Sequence, residues 1–138
     1  MTRLRPYLLR ALFLLILAGM LAVTSWASIR CPLFGVPPAV AKHPWFLATL
    51  CDAYAGFLTF FVWVAYKQTA WLARGAWLVA ILLLGNIAIA AYCLDELRRT
   101  PPGAPLAEVL TARRAGPGGL GLVLAVLGLV VLTLAWPR

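Results

Sequence analysis

Apolar positions in this chain come in four long runs, at residues 7–27, 45–66, about 71–94 and 118–136, separated by polar segments rich in proline. Neither the alternation of a half-buried strand nor the narrow apolar stripe of a surface helix organises them. At 1.5 Å per residue, a run of about 20 residues crosses a hydrocarbon layer of about 30 Å. All ten prolines lie outside the runs, as uninterrupted helices that must satisfy their own backbone require. The pattern predicts an all-α integral membrane protein. Residues 1–138 form one membrane domain, a four-transmembrane-helix bundle with a Pro-rich loop between helices 3 and 4. The short turn after Lys67 makes the second and third helices an antiparallel hairpin. Residues 28–44 read as loop. In the segment from Asp95 to Pro117, Leu106, Val109, Leu110 and Arg113 have the spacing for a helical turn or two on the surface.

The first run also has the parts of a signal peptide: Arg3 and Arg5, an apolar stretch from Ala11 to Val23, and Ser25-Trp26-Ala27 as a cleavage site. Trp26 suits a membrane-interface anchor better, which favours a retained helix.

Composition sharpens this picture. Of 138 residues, 64% are hydrophobic and only 12% charged, about half the charge of an average soluble domain, which excludes a water-soluble domain. Twelve Lys and Arg against four acids give a net charge of +8. Every cation except Arg10 and Arg74 sits in a tail or connecting segment, where it meets lipid phosphates, so the expected partner is the bilayer and not nucleic acid. Trp26, Trp45, Trp63, Trp71 and Trp136 fall near run ends as an aromatic belt, and Trp77 about one turn inside. With four crossings, Arg3, Arg5, Arg10, Lys67, Arg74 and Arg138 share one face, and Arg30, Lys42, Arg98, Arg99, Arg113 and Arg114 the other. This tie is broken by the cluster at the first helix, giving both termini cytoplasmic in an inner or plasma membrane.

One polar spot lies inside the runs. Asp52 is seven residues past Trp45, about 10 Å into its helix, and Asn86 precedes Asp95 by nine residues on the antiparallel third helix, about 13 Å from that end. The two then share a membrane layer and can hydrogen-bond, with Thr59, Tyr54 and Tyr92 as neighbours. Gly56 and Gly85 let the two backbones approach closely, and Gly121, Ala125 and Gly128 form a small-residue ridge on the last helix, facing the first helix or another protein. Asp52 is either a buried carboxyl joining helices, the titrating site of a carrier, or a group facing another subunit. Cys31, Cys51 and Cys93 fall toward one face in this topology, which leaves a disulfide conceivable. His43, the only histidine, reads as a loop residue. The chain has no GxSxG, HExxH, CxxC or phosphate-binding Gly-Lys-Ser/Thr loop, so no catalytic, metal or cofactor residue is expected.

The stretches WFLATLCDAYAGFLTFFVWVAYKQ (Trp45 to Gln68) and GNIAIAAYCL (Gly85 to Leu94) resemble a family of small bacterial and plant multi-pass membrane proteins of unknown function. The resemblance rests on Thr49, Leu50, Asp52, Tyr54, Trp63, Tyr66, Lys67, Gly85 and Asn86 and covers roughly residues 1–97. It implies a membrane fold and no activity, substrate or cofactor.

The functional expectation is a non-enzymatic accessory, scaffold or assembly subunit of a membrane complex or homo-oligomer. The alternative is a small proton-coupled carrier, or a protein binding a lipophilic ligand such as a quinone or pigment, using Asp52 and Asn86.

Overall fold

The computed structural model describes residues 4–137, with side chains from Pro6 onward. Seven α-helices follow one another among these residues: α1 (Leu4–Arg30), α2 (Pro38–Ala41), α3 (Pro44–Lys67), α4 (Trp71–Leu84), α5 (Asn86–Arg99), α6 (Leu106–Thr111) and α7 (Gly119–Ala135). Helices α1 and α3 are long and apolar enough to cross a membrane, whereas α4 and α7 are shorter apolar helices. At 1.5 Å per residue α3 is about 36 Å long, α4 and α5 about 21 Å each.

The third run does not form the single helix expected over 71–94. It is broken at Gly85, whose φ of 54° and ψ of −127° lie where a side chain is strongly disfavoured. A Cβ there would also sit 2.8 Å from the Phe57 ring. The chain doubles back, and α4 and α5 form an antiparallel hairpin in which the rings of Trp77 and Tyr92 meet at 4.8 Å. Ala73, Ala76, Ala80, Ala88 and Ala90 are buried in these two arms, and such small side chains allow close helix approach. Fold-back brings Glu96, near the end of α5, to Lys67 at the end of α3. In a straight α4–α5 helix, Glu96 would lie about 37 Å along the axis from Trp71.

This hairpin is the centre of the fold. On one flank α7 runs parallel to α4: Gly118 lies against Ala73, Gly121 against the Trp77 ring and Gly128 against Leu83. On the other, α1 packs along α5, with Arg10 donating from Nη2 to the carbonyl of Leu97 at 3.0 Å. Helix α3 covers the hairpin through Phe57, Phe60, Trp63 and Val64. The ridge of Gly121, Ala125 and Gly128 is therefore buried against α4, and it is available neither to the first helix nor to another protein.

Two ends of the molecule result. At one lie the start of α1, the α3–α4 turn and residues 95–118. At the other lie residues 31–43 and the end of α7, where Phe34 and Trp136 pack at 5.4 Å. The expectation of both termini on one face is overturned, since α1 begins and α7 finishes at opposite ends. So is the common face for the cysteines: Cys93 is buried near the Lys67 end, while Cys31 and Cys51 are exposed on segments belonging to the other half. Of the tryptophans expected near run ends, Trp26, Trp45, Trp71 and Trp136 are exposed, but Trp77 belongs to the core and Trp63 packs against it. Arg3, Arg138 and the side chain of Arg5 lie outside the described residues.

Candidate functional site

The polar centre of the structure lies where the hairpin closes. Lys67 and Glu96 are 0% and 1% exposed and form an ion pair, and Arg114 adds its Nε to the same Glu96 Oε2 at 3.0 Å. Lys67 Nζ also donates to the carbonyl of Val109 and stands 5.1 Å from the centre of the Trp63 ring. Beside it, Trp63 Nε1 donates to the carbonyl of Leu110 at 2.9 Å. These carbonyls belong to the last turn of α6, which has no intrahelical donors of its own, and the lysine charge suits that end of a helix. Arg114 is fixed through its backbone as well: its N–H donates to the carbonyl of Lys67 at 2.7 Å, and its carbonyl accepts from Thr69 N at 3.0 Å.

Gln68 and Tyr92 complete the centre. Gln68 Nε2 donates to the Tyr92 hydroxyl at 3.3 Å, and the ring of Tyr92 is met edge-on by Phe60, Trp63 and Trp77. Arg74 donates from Nε to the carbonyl of Gln68 at 2.8 Å. Asp95 is paired separately, with Arg98 at 2.8 Å and Arg99 at 2.7 Å. Among the described residues one buried donor, Arg114 Nη2, has no hydrogen-bond partner. The cluster is built as a latch: it ties three separate stretches of backbone, the α3–α4 turn, the end of α5 and the segment 109–114, around one carboxylate.

Sequence reasoning placed the polar site elsewhere. Asp52 and Asn86 are both exposed, and no hydrogen bond joins them among the described residues. Tyr54 and Phe57 are the α3 side chains that reach the hairpin tip, Tyr54 by a 3.3 Å bond to the carbonyl of Leu82. Asp52 lies roughly 200° and 140° around the helix from them, at 100° per residue. Tyr92 is not its neighbour but sits in the latch, Thr59 bonds back to the carbonyl of Ala55 at 2.8 Å, and a Cβ added at Gly56 would meet nothing within 4 Å. Gly85 does meet α3, through Phe57. The latch residues had a readable signal, a single Lys closing one run and a single Glu closing the next, but it points to a contact only once the third run is known to fold back.

Residues 7–115 match the model of a family described as a protein of unknown function, DUF1475. The match extends beyond the stretch to about residue 97 on which the resemblance rested, taking in the Pro-rich loop and Arg114, so all three charged latch residues fall inside it. No curated protein and no solved structure matches the chain.

Proposed function

Because the chain belongs to the DUF1475 family, to which no activity is attached, we propose its function from its own geometry: a non-enzymatic, multi-pass membrane protein that serves as an accessory or assembly subunit. In this reading α1, α3 and α7 cross the bilayer, and the α4–α5 hairpin enters and returns from one side. The fold-back supports one orientation. Arg10, Lys67, Arg74, Arg98, Arg99, Arg113 and Arg114 gather at one end, against Arg30 and Lys42 at the other, and the positive-inside tendency puts the first group in the cytoplasm. The N-terminus is then cytoplasmic and the C-terminus is on the opposite side of an inner or plasma membrane.

The observation that carries the subunit role is Asp52. It lies eight residues into α3, about 12 Å from its start, exposed and without a partner among the described residues. An acid in an apolar span costs up to about 3 kcal/mol at the bilayer centre, and less toward the edge, unless something meets it. Ala48, Ala55 and Gly56 beside it keep that side of α3 low, which lets a second helix come close. A helix from another subunit, carrying a hydrogen-bond donor or a cation at that depth, relieves the cost. In mild detergent, wild-type protein is expected in a large native-gel band with reproducible neighbours, and Asp52→Leu in a lone small band with unchanged melting. A lone band for wild type, with no neighbour crosslinked in native membranes, overturns the proposal.

The same unpartnered carboxyl favours a second reading, a small proton-coupled carrier with Asp52 as the titrating group. That reading requires Asp52→Asn to abolish transport while the fold persists, whereas a subunit contact tolerates asparagine, which still hydrogen-bonds.

A further inference from the structure

At the cationic end, a cleft of about 860 Å³ opens between the start of α1 and the loop that follows α5. Its volume is that of a small-molecule site. Tyr7 and Arg10 form one wall, and Leu97, Pro101, Pro105 and Val109 form much of the rest. Most of this surface is apolar, and three prolines, Pro101, Pro102 and Pro105, stiffen the loop wall.

Among the described residues Arg10 is the cleft's only charged residue, and it has no counter-ion there. One of its nitrogens caps the Leu97 carbonyl, and the guanidinium stands 5.9 Å from the Tyr7 ring centre. Its remaining N–H groups meet no acceptor among the described residues. The acids of this end are committed or out of reach: Asp95 to Arg98 and Arg99, Glu96 to Lys67 and Arg114. Glu108 takes part in no ion pair among the described residues and is not in the cleft wall. Arg10 is also several residues inside α1, about 9 Å from its start, where an uncompensated cation is costly. Charge, depth and an apolar wall together describe an amphiphile whose anionic head lies at the membrane boundary.

We propose that this cleft binds the phosphate-bearing headgroup of an anionic phospholipid, with Arg10 as the anion contact and the apolar wall receiving the glycerol and upper acyl segments. Basic pockets between helices on the cytoplasmic side are suited to such headgroups. The proposal rests on the membrane-spanning reading, and the test separates the two.

The full chain, purified in mild detergent, is mixed with phosphatidylglycerol or phosphatidylcholine, and retained lipid is counted by native mass spectrometry. One phosphatidylglycerol per chain is expected, with phosphatidylcholine stripped away. Arg10→Gln should weaken retention about fivefold, the equivalent of about 1 kcal/mol for one cation at an anionic surface. Ala104→Trp, which fills the cleft without changing charge, should abolish retention and carries the test if Arg10→Gln melts early. Arg98→Gln, at a side chain 76% exposed, should leave retention unchanged. Equal retention of both lipids, unchanged retention in Ala104→Trp, an equal loss in Arg98→Gln, or displacement by inorganic phosphate overturns the lipid site. Release of the wild-type chain from membranes by alkaline carbonate would instead overturn the membrane reading itself.

Discussion

Glu96→Gln is the substitution that most directly interrogates the latch. The side chain keeps its size but loses its charge, leaving Lys67, fully buried, and Arg114, 18% exposed, to share an amide oxygen. Removing one partner from a buried ion pair costs about 3–5 kcal/mol, because the remaining charge stays desolvated. Two cations depend on Glu96, so the upper part of that range is expected. Lys67 still has the Val109 carbonyl and the Trp63 ring, which keeps the loss from growing further. The assay is a thermal melt in detergent followed by tryptophan fluorescence, since Trp63 and Trp77 both lie in the affected core, together with limited trypsin digestion after Arg114. Glu96→Gln should melt early and be cut faster, because the backbone pairing of residue 114 with residues 67 and 69 loosens with it. Adding Lys67→Met should return part of the lost stability, since an apolar replacement removes one of the stranded charges. A melt within about 1 kcal/mol of wild type, with unchanged proteolysis, would refute the claim that one carboxylate holds these segments together.

The fold-back itself is open to labelling: cysteines introduced at Gly103 and at Lys42 should react from opposite sides of the membrane, and reaction from the same side would restore a continuous third helix. Gly85→Ala should destabilise by about 1–3 kcal/mol, through positive φ and the Phe57 contact, as read by the same melts; a neutral effect would mean that the turn tolerates a side chain. Gly121→Leu should separate α7 from α4, since even a Cβ would meet the Trp77 ring at 2.9 Å, exposing Trp77 to an aqueous or lipid quencher. Of the three native thiols, Cys31 should label with maleimide and Cys93 should not, and no Cys93 disulfide with either of the others should appear on oxidation.

How far the sequence could be read follows from what each residue's effect depends on. The four apolar runs were legible because hydropathy is a local sum, and the helices α1, α3 and α7 lie where the runs do. The break at Gly85 was not, because both arms of the hairpin are apolar and Gly-Asn within such a run is compatible with a continuous helix. The direction of the chain is settled by contacts between residues distant in sequence, Trp77 with Tyr92 and Lys67 with Glu96. The depth arithmetic that set Asp52 beside Asn86 assumed a straight third helix, and it failed with that assumption. The balanced cation count failed for the same reason, since the fold-back moves Arg98, Arg99, Arg113 and Arg114 together. The small residues of α7 were recognised as a packing surface, but the partner was α4, where Ala73, Ala76 and Ala80 recur at the three-to-four spacing of one helix face.

The hairpin also bears on how the chain is made. A segment as apolar as 71–94 satisfies the length criterion by which nascent helices are laid across a bilayer, yet in the proposed membrane reading its finished form returns to the side it entered from. The residues that enforce the return, Glu96 and Arg114, are translated after the turn at Gly85. In that reading the final topology is decided late, by downstream sequence, and a ribosome stalled before Arg114 emerges is expected to leave a chain with one crossing too many. Reporters fused to successive truncations should record that switch as a change of compartment.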